Sequence, residues 1–134
     1  MMPDSGEGLR DEAAPWSDRE RAPCCVIDHD HLRRYTMGDQ QLEGEVLQLF
    51  AKDLPRSVRA LRTARNDREW WVAAHTLKGS ARAVGAWRVA GAAAAAEQIA
   101  CAIDDPLAKA KAMAACDLAI ADAISYIRRV LAPA

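Results

Sequence analysis

Residues 73–86 read AAHTLKGSARAVGA and decide the fold. At about 100° per residue, the small and apolar residues of this stretch share one arc of a helix with Trp70. The arc contains Trp70, Ala73, Ala74, Leu77, Ser80, Ala81 and Val84. We therefore predict a helix over residues 68–84, capped by Asp67, that buries this arc and ends at Gly85. His75 points nearly opposite the centre of the arc, so we expect it to be exposed in mid-helix.

The surroundings of His75 suggest a chemical site. The residues predicted to lie on its side of the helix are Trp71, Val72, Lys78, Gly79 and Arg82. A glycine on an exposed helix face costs about 1 kcal/mol relative to alanine, so Gly79 indicates that something must approach closely. Lys78 could neutralise an anion held on the imidazole, and Arg82 extends the positive surface. An unprotonated imidazole is a good nucleophile, although an ordinary surface histidine is the alternative.

Similar signals place helices on both sides of this segment. Asp28 is a good N-cap for a short helix through Tyr35, which residues 36–39 break. Asp39 can cap a long helix to about Asn66, with a bend expected at Pro55. The apolar positions predicted for its core face are Leu42, Val46, Phe50, Leu54, Val58 and Leu61.

Two more helices follow Gly85. The first is predicted over Ala86 to about Ile103, and the second starts after the cap Asp105 with Pro106 at its first position. The buried stripe predicted for this last helix is Leu107, Ala110, Met113, Ala114, Leu118, Ala121, Ile124, Ile127 and Leu131. Strand signals are scarce. We expect an all-α protein, an up-down four-helix bundle with a short additional N-terminal helix.

Composition limits the function classes. Hydrophobic residues make up 51% of the 134 residues but aromatic residues only 5%, and much of the apolar fraction is alanine. The core should therefore depend on close helix contact. A net charge of −1 does not suit a dedicated nucleic-acid binder. No apolar run reaches the roughly 18–20 residues that span a bilayer, and residues 1–21 lack the apolar stretch of a signal peptide.

From these observations we expect a cytoplasmic monomer that binds neither nucleic acid nor membrane. Residues 1–24 are rich in Gly, Pro and charged residues and are predicted to be a loosely ordered tail, and residues 25–134 to be the helical domain.

The four cysteines do not suggest a metal centre. Cys24 and Cys25 precede His29 and His31, but this spacing matches no standard zinc site. We read Cys101 and Cys116 as small buried hydrophobic residues on helices. No metal ligand is assigned.

The motif His75-Thr-Leu-Lys-Gly-Ser, followed by Gly85-Ala86, resembles the signature of histidine-containing phosphotransfer (HPt) domains. The likeness extends to Asp28 and its short helix, to residues 49–55 and to Glu97, and covers roughly residues 26–131. The chain departs from the family pattern at Ala92 and Ala96, where bulkier residues are usual.

The resemblance implies a phosphocarrier rather than an enzyme with ATP-dependent kinase activity. His75 would accept a phosphoryl group from a receiver-domain aspartate and relay it to another receiver domain. The partners would be the receiver domains of hybrid histidine kinases and response regulators. They would supply Mg²⁺, and the chain itself would need no cofactor. The sequence agrees in having no Gly-rich phosphate-binding loop.

Further roles can be assigned by register and charge. If the helices on either side of Ala86 form an antiparallel hairpin, His75 and Glu97 lie side by side, because each is eleven residues from Ala86. Glu97 could then accept a hydrogen bond from one ring nitrogen and turn the other outward. Arg82 and Arg88 are expected to assist docking to an acidic receiver surface, and Gly79, Trp71 and Val72 are expected to belong to the same docking face.

Two other readings remain open. The first is a helical adaptor that binds receivers without phosphotransfer. The second is a cofactor-binding bundle using His29, His31 or His75, which is disfavoured because inward-facing ligand pairs on facing helices are missing.

Overall fold

The computed structural model describes residues 26–99 and 101–132, and these residues are almost entirely helical. The helices are α1 (His29–Thr36), α2 (Gln40–Arg62), α3 (Asp67–Val84), α4 (Trp87–Glu97) and α5 (Pro106–Leu131), with a 3₁₀ turn over Ala102–Asp104. No strand occurs within the described residues, which confirms the predicted all-α class. The predicted tail, residues 1–24, lies outside them, and so does Cys25.

Aspartate side chains start three of the helices as predicted. A carboxylate oxygen of Asp28 accepts from the His31 amide at 3.1 Å, and Asp39 and Asp105 bond the amides three residues further on in the same way. Each bond satisfies an amide that has no partner inside its own helix.

The cap of α3 differs from the prediction by one residue. Asn66 is extended and its side-chain oxygen accepts from the Glu69 amide at 2.8 Å, so Asn66 is the N-cap and Asp67 the first helical residue. Asn and Asp cap equally well, and the sequence alone could not choose between them. The carboxylate of Asp67 instead accepts from the Ile103 amide at 3.3 Å, which ties the 3₁₀ turn to α3.

Two predicted helix ends are wrong. α2 continues through Pro55 but ends at Arg62 rather than near Asn66, and the bend expected at Pro55 stays a prediction. α4 ends at Glu97, six residues before the predicted end. The buried indole of Trp70 donates to the Ala96 carbonyl at 2.8 Å, and the same carbonyl accepts from the Ile99 amide at 3.2 Å in the tighter turn that follows α4.

The four long helices contact one another in a closed order. α2 packs on α3, α3 on α4, α4 on α5, and α5 returns to α2, while α1 lies against α2 and α3. The core between them is rich in alanine, as predicted: Ala90, Ala93 and Ala96 of α4 are fully buried. None of the described helices is long and apolar enough to cross a bilayer.

The predicted core faces of α2 and α3 are largely correct. On α3 every residue of the predicted arc is buried except Ser80, which is half-buried. On α2, Phe50, Leu54 and Leu61 are buried, but Leu42 is exposed. Leu47, which the prediction missed, is buried.

The stripe predicted for α5 is mostly wrong. Its buried residues are Ala112, Met113, Cys116, Ile120, Ala123 and Ile127. Of the predicted stripe, only Met113 and Ile127 are buried, whereas Leu107 and Leu118 are each 67% exposed. Apolar residues occur almost all around α5, and half of its buried residues are small, namely Ala112, Cys116 and Ala123. Side-chain size was therefore a poor guide to its core face.

The turn between α3 and α4 is held by α1. Gly85 ends α3 with φ of 79°, and its carbonyl accepts from the Asp28 amide at 2.9 Å. The indole of Trp87 donates to the second carboxylate oxygen of Asp28 at 2.9 Å. A Cβ at position 85 would lie 2.9 Å from the Asp28 carbonyl oxygen. The turn therefore needs glycine both for its left-handed backbone and for the approach of α1.

We predict opposite effects for alanine at the two glycines of the decisive segment. Gly85→Ala should lower the free energy of unfolding by about 1–3 kcal/mol, because a left-handed backbone and a tight contact both penalise a side chain. Gly79→Ala should raise it by up to about 1 kcal/mol, since an added Cβ meets nothing within 4 Å. Urea unfolding followed by circular dichroism measures both, and a destabilised Gly79→Ala would contradict the packing described.

Candidate functional site

His75 lies in the middle of α3 and faces away from the core. Its side chain is 52% exposed, while Ala74 and Leu77 are completely buried. The predicted exposure of His75 is confirmed. The helix therefore holds the imidazole at the surface on a rigid backbone.

Glu97 fixes one edge of the imidazole. Its Oε2 lies 2.5 Å from Nδ1 of His75, so the contact predicted from the hairpin register is confirmed. An ionised carboxylate only accepts hydrogen bonds, so Nδ1 carries the hydrogen and donates it. In the neutral ring, Nε2 then keeps its lone pair, and no other side-chain hydrogen bond to this ring is found among residues 26–99 and 101–132.

Lys78 bonds the other oxygen of the same carboxylate. Its Nζ lies 2.5 Å from Oε1 of Glu97, and the lysine side chain is only 20% exposed. Lys78 was predicted to lie on the exposed side of the helix with His75, but its side chain is largely buried because it turns toward α4 to reach Glu97. Lys78 is nevertheless one turn from His75 and shares its carboxylate.

The charge on Glu97 is stabilised from two sides. The hydrogen bond from Lys78, followed by the one from His75, lowers the pKa of this carboxyl below its ordinary value and outweighs the opposing effect of burial. Only 8% of the Glu97 side chain is exposed, so these two partners take the place of water. Glu97 is thus a fixed carboxylate between an imidazole and an ammonium group.

Trp71 covers one face of the imidazole. The two rings are nearly parallel, at an interplanar angle of 13°, with centroids 4.5 Å apart. Trp71 was predicted only as a docking residue, and its contact with His75 was missed. The signal was present in the sequence, because residues four apart on a helix are neighbours.

Gly79 leaves an open space on the exposed face of α3, here called the clearing, as its position predicted. It is exposed, and an added Cβ at this position would have no neighbour within 4 Å. Packing among residues 26–99 and 101–132 therefore does not require glycine here. The gap lies on the turn that follows His75.

The other predicted docking residues divide into two groups. Val72 and Arg82 are exposed on α3, three residues before His75 and seven after it. Arg88 lies nine residues before Glu97 on α4, which is about 13 Å along the helix axis, and its guanidinium contacts Asp122 of α5 at 3.4 Å. The structure does not bring Arg88 to His75.

The remaining histidines are engaged in packing contacts. Nε2 of His29 lies 2.7 Å from the Tyr126 hydroxyl, and the His31 ring meets the Trp87 ring edge-on. In the part of the chain that the structure describes, no three His, Cys, Asp or Glu side chains are grouped to hold a metal ion.

The two described cysteines differ in environment. Cys101 is exposed, so the expectation that it is buried is wrong, whereas Cys116 is buried as predicted. Burial raises the pKa of the Cys116 thiol to about 11, which leaves it unreactive near neutral pH.

Comparison with known families gives one match. The family model described as Hpt domain matches residues 45–130, which are 86 of the 134 residues. The matched segment contains all of α3 and α4 and therefore His75, Lys78 and Glu97. No curated protein and no solved structure matches the chain.

The lowered pKa of Glu97 predicts a specific pH dependence of stability. Because the folded state lowers this pKa, Glu97 stabilises the fold above the unfolded value of 4.5, and this contribution is lost as the pH falls through the folded value. Glu97→Gln should therefore be less stable than wild type by about 1 kcal/mol at pH 7, and the difference should vanish in acid.

Urea unfolding between pH 7 and pH 2 measures this difference. Glu45→Gln is the matched control, because Glu45 is exposed on α2 and forms no ion pair with the described residues. A Glu97→Gln difference that does not change with pH would contradict the ion pair.

Proposed function

The chain belongs to the Hpt domain family, and from this premise we propose that it is a phosphocarrier of a phosphorelay. His75 accepts a phosphoryl group from a receiver-domain aspartate and relays it to another receiver domain. The observation that carries this proposal is the exposed imidazole whose Nδ1 is held by Glu97, because that contact leaves Nε2 available as the nucleophile.

The proposed transfer uses the tautomer described above. The lone pair of Nε2 forms a bond to phosphorus, and the bond from phosphorus to the aspartate oxygen breaks with its electron pair returning to the carboxylate. The hydrogen on Nδ1 stays in place, so the ring becomes cationic and is stabilised by Glu97. Transfer of this kind needs mainly positioning and charge stabilisation.

Lys78 is proposed to act on charge. In the resting site its ammonium group neutralises Glu97, and its flexible stem allows it to approach a phosphoryl group on Nε2 one turn away. Lys78 thus bonds Glu97, which orients His75, and is also close enough to interact with the phosphoryl group.

The proposed docking face surrounds His75 on α3. It consists of Trp71, Val72, Gly79 and Arg82, all of which are exposed. A receiver aspartate must come within bonding distance of Nε2, and the clearing at Gly79 allows that approach. Arg88 is left out of this face because it lies on α4 beside Asp122 and far from His75. Its docking role stays a prediction.

The proposed partners are receiver domains of hybrid histidine kinases and response regulators. They would bring the acidic pocket and Mg²⁺, and this chain would supply neither a cofactor nor ATP-dependent kinase activity. We also propose the up-down four-helix arrangement, which is supported by the closed order of helix contacts. A domain over residues 25–134, a monomeric state and a cytoplasmic location stay predictions.

We expect His75→Gln to abolish acid-labile phosphate incorporation while the helical fold is kept. The side chain is half exposed, and its loss leaves the core unchanged. Phosphorylated receiver domains serve as donors, and mass spectrometry locates the phosphate. His29→Gln and His31→Gln are controls that should label normally. Labelling retained in His75→Gln would refute the assignment, and receiver binding by wild type without labelling would favour the adaptor reading.

Gly79→Gln should give a protein that is at least as stable as wild type but transfers phosphate more slowly. Glutamine has a higher helix propensity than glycine by roughly 0.5 kcal/mol, and the site has room for the side chain. The same side chain would stand where the receiver approaches. Thermal unfolding and transfer rates test this together. A destabilised variant whose folded fraction transfers normally would show that Gly79 serves the fold and not docking.

A further inference from the structure

The contact between Trp71 and His75 is not explained by packing of the bundle. Trp71 is 46% exposed, whereas its neighbour Trp70 is 1% exposed and fills the core. The indole nevertheless lies parallel to the imidazole, with ring centroids 4.5 Å apart. The contact is made within this chain alone, so it does not depend on a bound receiver.

We propose that Trp71 is a positioning residue for phosphoryl transfer, and that its indole face stabilises the cationic ring of phosphorylated His75. This inference rests on the proposed function, because it concerns the same nucleophile. It adds a role that is distinct from docking.

The geometric part of the proposal follows from the two contacts of the ring. Glu97 holds the Nδ1 edge of the imidazole, and Trp71 covers one of its faces. A ring with one edge bonded and one face covered has little freedom to rotate. The direction of Nε2 is therefore fixed before a receiver arrives, which lowers the ordering cost of the reaction.

The electrostatic part follows from the balance of charge during transfer. Nε2 gives its lone pair to phosphorus, the aspartate oxygen leaves with the electrons of its bond, and the hydrogen remains on Nδ1. The ring therefore changes from neutral to cationic. The face of an indole is electron-rich and attracts a cation within about 6 Å of its centroid. Trp71 should thus favour the phosphorylated state of His75 over the unphosphorylated one.

This role can be separated from docking by thermodynamics. The equilibrium constant for phosphoryl exchange between a receiver and this protein depends only on the separate species. Contacts made in the complex change the rate of exchange but cancel in that constant. A residue that acts on the phosphorylated ring changes the equilibrium constant itself.

The experiment compares three variants in exchange with a phosphorylated receiver domain. Trp71→Leu removes the π face, Trp71→Phe keeps an aromatic face, and Leu118→Ala is the matched control because Leu118 is 67% exposed on α5, outside the proposed docking face. We expect Trp71→Leu to shift the equilibrium constant toward the receiver by about two- to fivefold, which corresponds to about 0.5–1 kcal/mol. Trp71→Phe should restore part of the loss, and Leu118→Ala should leave the constant unchanged.

A second measurement needs no partner. Phosphoramidate, a small-molecule donor, phosphorylates histidine directly, and phosphorylation of wild type by it should change the indole emission through the stacked ring. The change should be absent in Trp71→Leu. The inference would be overturned, with transfer intact, by two results together. The equilibrium constant of Trp71→Leu would equal that of wild type, and phosphorylation of wild type would not change its indole emission. Absence of exchange in wild type and every variant would instead overturn the proposed function and this inference with it.

Discussion

The carboxylate of Glu97 is the group on which the site depends, because it must reach an imidazole and an ammonium group that belong to a different helix. Glu97 is the last residue of α4, where the helix dipole disfavours a negative charge. Lys78 and His75 compensate by donating one hydrogen bond to each of its oxygens. The orientation of His75 therefore follows from the register between α3 and α4.

Three contacts outside the site set that register. Gly85 takes the left-handed backbone that ends α3, and Asp28 of the α1 cap binds the turn through its amide and carboxylate. At the other end of the hairpin, the indole of Trp70 bonds the Ala96 carbonyl, next to Glu97 at the end of α4. Trp70 and the alanines of α4 are buried in the core. The turn and these core contacts therefore place Glu97 beside His75.

Local signals were sufficient for much of this description. Aspartate caps and Gly85 predicted most helix starts and the main turn, and equal distances from Ala86 predicted the pairing of His75 with Glu97. Tertiary contacts account for the failures. The end of α4 lies where an indole of α3 bonds its backbone, and small side chains make up half of the buried stripe of α5. The partner of Lys78 and the face of His75 covered by Trp71 required side-chain geometry, although the spacing of Trp71 and His75 already allowed the contact.

The central claim is that Glu97 holds the hydrogen on Nδ1 of His75 and leaves Nε2 as the nucleophile. Long-range ¹H–¹⁵N correlation spectra of the imidazole, recorded before and after phosphorylation, test it most directly. We predict a hydrogen on Nδ1 in the neutral resting protein and the phosphoryl group on Nε2 afterwards. A resting ring with its hydrogen on Nε2, or a phosphoryl group on Nδ1, would contradict it.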